Sequence, residues 1–359
     1  MQPRPAPPPP DRICVLRLSA IGDVAHTAAV VRTLQTAFPT SRLTWVVGRV
    51  EAPVAALVPG VELVVVDKRR PVSELMRLRR MMRGVRFDVL LHLQVSLRSN
   101  LISLGVQARE RWGFDLGRSK EGHALVTNRR IAPAPPPGEH VLAGLMRFPA
   151  ALGASIAAPR WDLVLPADAA AWAETIVPAG VPVLAVNVCA SRPVKDWRVD
   201  RFAAVVAEAV RRHHLQVVLC GGPSQPERER ARAISAAAGV PVQNLVGATS
   251  LPQLVALLNR CVALLSPDSG PVHLATAVGT PVIGLYGATN LRRCGPSVDA
   301  QWCVDRWDAA ARRFRGRPAT ELGWAEVVPG GMDLIDGADV LERLDALLAT
   351  RRSRSPFVK

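Results

Sequence analysis

Apolar residues recur along the first part of the chain in short, mostly unbroken runs: Ile13–Leu18, Leu43–Val47, Leu63–Val66 and Val89–Leu93. Runs of this length without polar alternation suit strands buried on both faces of a parallel sheet. Helical spacing fills the gaps, as in Val24–Ala37 and Val72–Arg83. Strands that alternate with helices predict a doubly wound α/β domain. A proline-rich loop, Ala132 to Glu139, breaks the rhythm, and a helix-like segment from His140 to Leu152 follows. Alternation then resumes with Val183–Val188, Val217–Leu219, Val242–Val246, Val262–Leu265 and Pro281–Tyr286.

The pattern therefore predicts two Rossmann-like units joined by a linker near Leu165–Asp168: one over 12–166, the other over 167–350. A disordered proline-rich tail is expected over 1–11 and a basic tail over 351–359, with Arg351-Arg352-Ser353-Arg354 mobile. The amphipathic stretch Ala338–Leu348 is expected to close the second unit or cross back to the first. Two such domains facing each other form a cleft at the carboxyl ends of their strands, where ligands bind in such sheets.

Composition narrows the partners. A net charge of +15 fits nucleic acid, an anionic membrane or a phosphorylated substrate. Only 4% of residues are aromatic, and no aromatic–basic interleaving appears, so nucleic acid is not expected. An anionic substrate, an acidic lipid surface or simple solubility remain. No apolar run reaches the roughly 18–20 residues that span a bilayer. The opening MQPRPAPPPP lacks the apolar centre of a secretory signal, which predicts a cytoplasmic protein. The six cysteines show no CxxC spacing, so buried free thiols are expected rather than disulfides or a zinc site.

The richest stretch is Ser266-Pro267-Asp268-Ser269-Gly270-Pro271-Val272-His273-Leu274-Ala275, between two apolar runs. It reads as strand, tight turn, helix. Ser269 and Gly270 fall at the helix mouth, with Pro271 preset for its first turn. Free N–H groups there suit a phosphate. Asp268 is placed to accept hydrogen bonds from ligand hydroxyls. A phosphate seat beside a hydroxyl acceptor is what a nucleotide-sugar needs. His273, about one turn into the helix, reads first as a hydrogen-bonded structural group rather than an acid–base catalyst.

Three further turns follow strands. In Arg17-Leu18-Ser19-Ala20-Ile21-Gly22-Asp23, Asp23 either caps a helix or acts as general base toward an attacking hydroxyl. This run is not G-x-G-x-x-G, which weakens a dinucleotide-oxidoreductase reading. In Cys189–Trp197, Lys195 can neutralise a diphosphate and Ser191 can bond a phosphate oxygen, with Arg192 a competing partner. In Cys220-Gly221-Gly222-Pro223-Ser224-Gln225-Pro226-Glu227, Gly222 lets a ligand approach the backbone. Glu227, with Gln225 as rival, can take ribose hydroxyls or merely favour the first helical turn. Basic residues cluster in the first unit, from Lys68-Arg69-Arg70 through Arg77, Arg79, Arg80 and Arg83 to Arg118, Lys120, Arg129 and Arg130. Most are expected to lack a nearby acid, and they form either a solvated face or a seat for a phosphorylated, membrane-borne acceptor.

On these segments the chain resembles the ADP-heptose:lipopolysaccharide heptosyltransferases, inverting glycosyltransferases of GT-B fold. The resemblance spans roughly Arg12 to Leu348. It rests on Leu18–Thr27, the Lys195-Asp196-Trp197 loop, the Gly221-Gly222-Pro223 turn, and Asp268–Ala275 with Gly279-Thr280-Pro281. It implies an acceptor-binding first domain and an ADP-sugar-binding second one. It places the general base on Asp23 and the phosphate lysine on Lys195, with Ser191, Arg192 and Gly222 also at the donor. The ribose acid falls near Gln225 to Glu227. Asp268 would hold heptose hydroxyls, Ser269 and Gly270 the phosphate, and His273 would lie in the same donor site. Ala190 stands where the family carries a hydroxyl. The acceptor surface would include Lys68, Arg69, Arg70 and Lys120, the last where arginine is common. The implied partners are ADP-heptose, an anionic lipid A–Kdo or core oligosaccharide acceptor, and the cytoplasmic face of the inner membrane. No metal or cofactor is expected, since no Asp-x-Asp motif flanks the phosphate turns and the ADP-sugar is a substrate. A nucleotide-sugar epimerase of the same fold, a nicotinamide oxidoreductase and a non-catalytic glycolipid binder are the rival readings.

Overall fold

Fully buried runs such as Ile13–Leu16 and Val183–Val186 have no face to give to water, so they form the middle of parallel sheets. The computed structural model describes residues 9–354, with side chains as far as Arg351. It divides into two units: residues up to Pro135 with Leu142–Val164, and Pro136–Val141 with the chain from Leu165 onward. The expected tail over 1–11 falls largely outside the described residues, as do 355–359.

In chain order the first unit contains β1 (Arg12–Leu16), α1 (Ile21–Ala37), β2 (Arg42–Gly48), α2 (Ala52–Ala55), β3 (Glu62–Val66), α3 (Pro71–Met81), β4 (Phe87–His92), α4 (Leu97–Ser103), β5 (Ala108–Gly113), β6 (Arg129–Arg130) and nearly all of α5 (Val141–Ala151). Its six strands run in the order β3-β2-β1-β4-β5-β6, all parallel. The chain reverses its direction of winding between β1 and β4. In open α/β sheets that switch point is where a crevice forms.

The second unit repeats this plan. It contains α6 (Ala167–Ile176), β7 (Val183–Asn187), α7 (Val199–His213), β8 (Gln216–Cys220), α8 (Gln225–Ala238), β9 (Gln243–Asn244), α9 (Leu251–Arg260), β10 (Ala263–Pro267), α10 (Gly270–Ala277), β11 (Val282–Tyr286), α11 (Leu291–Cys294), β12 (Val304–Asp305), α12 (Trp307–Arg315) and α13 (Gly337–Arg354). The order β12-β11-β10-β7-β8-β9 is the first sheet's order again, with its switch point between β7 and β10. Val340, Leu344 and Leu347 of α13 pack into the core with Phe202 and Val205, so this helix closes the second unit.

Three expectations need correction. The edge strands β5, β6 and β12 carry too few apolar residues to read as buried runs, and the expected Val242–Val246 strand pairs only over Gln243–Asn244. The backbone of α13 continues as helix through Arg354, where a mobile basic tail was expected. The helix before Leu152 starts at Val141, and the segment ahead of it is pinned within the second unit: Trp324 Nε1 donates to Glu139 O at 2.8 Å. Among the first-unit cations, Arg70, Arg79, Arg80, Arg83, Lys120 and Arg130 make no ion pair among the described residues, as expected of most of them, while five others do. Lys68 meets the buried Glu51, and Arg69–Asp67, Arg77–Glu74, Arg118–Asp115 and Arg129–Glu110 are ion pairs. All six cysteines are buried free thiols. Among the described residues, no helix is long and apolar enough to cross a membrane.

Candidate active site

In the first unit, Asp23 is the third residue of α1, one turn beyond the carboxyl end of β1. Its Oδ2 accepts from the Ala20 N–H at 3.2 Å, so the capping role expected for it is real. The same oxygen forms an ion pair with Arg17. Arg17 is itself tied down: Nε donates to Ser19 O at 2.8 Å, and a terminal nitrogen donates to Leu93 O beyond β4. Gln94 completes the frame, because Oε1 accepts from Leu18 N–H at 2.8 Å and from Ser19 N–H at 3.2 Å. Asp23 is thus a partly exposed carboxylate held at the β1/β4 switch point by residues from both strand ends. Sequence reasoning passed over Arg17 and Gln94. Arg17 lies inside the quoted motif, and a lone cation among apolar strand residues was the available signal.

Lys68, Arg69 and Arg70 follow β3 directly, and Arg70 is the residue before α3. Lys68 and Arg69 are engaged with Glu51 and Asp67 as described, while Arg70 and Lys120 are exposed and make no ion pair among the described residues.

In the second unit, the switch point between β7 and β10 gathers most of the expected donor residues. Asp268 follows the last residue of β10 and is almost fully buried. Lys195 reaches it from the loop after β7, with Nζ 3.1 Å from Asp268 Oδ2. The Cys294 thiol donates to that same oxygen at 3.5 Å. Lys195 is aimed by its neighbours. Asp196 accepts from the Ala190 N–H at 2.7 Å, folding the loop back on itself, and burial pushes its carboxyl up. Trp197 is fully buried, stacks edge-on against Phe202 and donates from Nε1 to Ile335 O at 2.9 Å. The Lys-Asp-Trp order thus reads as a charge, a hinge pin and an anchor.

Ser269 caps α10 in extended conformation, but its hydroxyl turns inward. It lies 2.9 Å from Asn187 Nδ2 and 2.8 Å from Ser266 Oγ. Asn187, the last residue of β7, also reaches Ser266 Oγ at 3.0 Å and Cys189 O at 2.7 Å. This buried cluster fixes the α10 mouth against β7, and sequence reasoning missed Asn187 because it ends an otherwise apolar run. Val272 N–H bonds Ser269 O and Pro271 has no N–H, which leaves the Ser269 and Gly270 amides for an external acceptor. His273 is buried in α10.

A cavity of about 200 Å³ opens beside this cluster, lined by Arg192, Lys195, Asp268, Arg293, Cys294 and Trp324 among others. Its cations suit an anion, and Asp268 offers an acceptor for hydroxyls. Ser191 is exposed and does not line it. Next to β7 in the sheet, β8 ends in the Gly221-Gly222 turn. Glu227 occupies the third position of α8, and its N–H bonds the Ser224 cap at 3.4 Å. Its carboxylate folds over Gly222, where a Cβ would lie 2.6 Å from Oε2. Burial raises the Glu227 carboxyl above the usual range. Gln225 bonds Glu229 at 2.7 Å along the helix instead.

Residues 75–321 match the family model described as glycosyltransferase family 9 (heptosyltransferase). The chain is 36% identical over 321 residues to the lipopolysaccharide core heptosyltransferase OpsX of Haemophilus influenzae, covering 89% of this chain and 92% of that protein. Among solved structures, it resembles a family 9 glycosyltransferase from Veillonella parvula with TM-score 0.77 and 22% identity, over 95% and 97% of the two chains. It also resembles the ADP-heptose lipopolysaccharide heptosyltransferase II of E. coli, with TM-score 0.72 and 22% identity over 95% and 99%. The paired Rossmann-type sheets and these likenesses establish a GT-B fold.

Proposed function

Because the chain belongs to glycosyltransferase family 9, the heptosyltransferases, we propose that it moves a heptose from ADP-L-glycero-D-manno-heptose to the inner core of lipopolysaccharide, onto Kdo or a heptose already present. The single observation that carries this reading is the Lys195–Asp268 pair at the mouth of α10, beside two unspent amides. A cation and amides seat a diphosphate, and a buried carboxylate seats sugar hydroxyls.

The reaction is a direct displacement with inversion. Asp23 takes the proton of an acceptor hydroxyl, whose oxygen forms the new bond to the anomeric carbon. The bond from that carbon to the ADP oxygen breaks, and ADP leaves with the electron pair. Lys195 and the Ser269 and Gly270 amides stabilise the charge on the departing diphosphate, so the step needs no divalent metal. Glu227 holds the ribose, and Lys68, Arg69, Arg70 and Lys120 face the anionic acceptor. Arg17 holds the Asp23 carboxylate toward its task through one oxygen, which leaves the other for the proton. The acceptor is lipid-linked, so the enzyme works on the cytoplasmic face of the inner membrane.

Mass spectrometry of products from ADP-heptose with Kdo-bearing and heptose-bearing acceptors tests the assignment. A heptose-sized mass gain on one acceptor is expected, and conversion of the donor without any acceptor would favour an epimerase instead. Asp23→Ala should abolish turnover and leave ADP binding unchanged; retained turnover would remove Asp23 from the base role.

A further inference from the structure

Isolated apolar side chains on a surface are ordinary, but a cluster of them asks for a partner. The three most exposed large apolar residues of the first unit are Leu125 (90%), Leu116 (68%) and Leu97 (67%). They belong to one stretch of rim. Leu97 opens α4, just after β4, while Leu116 and Leu125 lie in the segment between β5 and β6. Glu121 ties the two together: its Oε2 accepts from Leu97 N–H at 2.7 Å, and its carbonyl accepts from Asn100 Nδ2 at 2.7 Å. The segment is also braced from below, since the buried His123 accepts from Phe114 N–H at 3.2 Å. The leucines are therefore displayed by a fastened loop at the carboxyl ends of the strands, the edge of the sheet that also carries Asp23.

The charges around them are mainly positive. Arg98 and Lys120 are exposed without an ion pair among the described residues, and Arg130 reaches only a carbonyl, Ala124 O, at 3.5 Å. Of the nearby acids, Asp115 is paired with Arg118, while Glu121 accepts from the neutral Leu97 N–H and keeps its charge, one carboxylate against these three cations. Leucines flanked by a surplus of cations match the apolar boundary and anionic headgroups of a bilayer. An acidic protein would meet the same cations, but the lipid-linked acceptor of the proposed reaction favours the bilayer.

We infer that this rim, built from the start of α4 and the loop carrying Leu116 and Leu125, docks the first unit onto an anionic lipid bilayer. Docking there would serve the lipid-linked acceptor of the proposed reaction by holding the enzyme where that acceptor emerges.

The full-length protein is sedimented with vesicles of phosphatidylcholine alone or mixed with phosphatidylglycerol, without donor or acceptor. The wild type is expected to pellet with the anionic vesicles only. Combined Leu97→Ser, Leu116→Ser and Leu125→Ser should lower the bound fraction by about tenfold or more, given the apolar area withdrawn from the bilayer. Because the native thiols are all buried, Leu125→Cys can carry a polarity-sensitive thiol probe. Its emission should shift to the blue with anionic vesicles, while a probe at Val298→Cys in the second unit should not respond. The serine variant should keep full turnover on a deacylated, soluble acceptor and lose it on a vesicle-embedded one. No vesicle binding by the wild type, equal binding by the serine variant, or a wild-type dimer that the variant converts to monomer would each overturn the inference. Vesicle binding is read without substrates, so failure of the heptose-transfer reading leaves it standing, and the converse holds as well.

Discussion

Asp268 carries two hydrogen-bond donors on one oxygen, Lys195 Nζ and the Cys294 thiol, in a nearly closed setting. The thiol can donate only while protonated. Burial, reinforced by the negative charge of Asp268, pushes the Cys294 thiol up to about 12, so at pH 8 almost none of it is thiolate. Iodoacetamide at pH 8 should therefore leave transferase activity intact over a period that consumes a free small-molecule thiol; rapid loss of activity together with a labelled Cys294 peptide would contradict this. Asn187 matters in another way. Its amide serves Ser266, Ser269 and Cys189 at once. Asn187→Ala leaves those oxygens without their shared donor in a buried place, which costs about 1–3 kcal/mol of stability. It should also raise the KM for the donor, because Ser269 sets the mouth of α10. Urea midpoints and donor kinetics on the same variant check both parts.

At the level of elements, the Gly221-Gly222 turn shows why sequence reading stopped where it did. The glycines are legible as a place of close approach, and the sequence points to a ligand as the approaching group. The structure puts Glu227 there, folding from α8 back over Gly222. A Cβ at Gly222 would need that carboxylate to move, so Gly222→Ala should weaken ADP-sugar binding roughly tenfold, equivalent to about 1.4 kcal/mol, with little change in thermal stability. Calorimetric titration with ADP would show it, and unchanged affinity would detach Glu227 from the donor site. Central strands such as β1, β7 and β10 were legible because burial on both faces demands unbroken apolar runs. The edges were not, since β5 reads Ala-Arg-Glu-Arg-Trp-Gly and β6 is two arginines. The pairing of Lys68 was also not legible. Lys68 and Glu51 are distant in sequence terms, and only the packing of the segment before α2 against the end of β3 brings them together.

Across the whole molecule, one strand order serves twice, and each copy places a central candidate, Asp23 or the Lys195–Asp268 pair, at its own switch point. Burial within the first unit also sets a response to acid. The first unit buries two facing histidines, His92 and His123, with ring centroids 4.6 Å apart. His123 is locked as the neutral tautomer, with Nδ1–H directed at Asn100 Oδ1 (3.1 Å) and Nε2 accepting from Phe114 N–H. Burial, with Arg130 adding to it, lowers His123 from 6.5 to about 4; burial and the neighbouring His123 also hold His92 well below the usual range. Protonation would abolish the Phe114 bond. Since the folded pKa is depressed, the unfolded chain binds more protons between those values, so stability is fully present above pH 6.5 and is lost as pH falls toward 4. The loss should be on the order of 1–3 kcal/mol for His123. His123→Gln should lower stability at pH 7.5 yet flatten the dependence between pH 6.5 and 4. Urea unfolding followed at several pH values, read on the transition of the first unit, gives the slope. An equally steep slope in wild type and variant would show that His123 does not carry it.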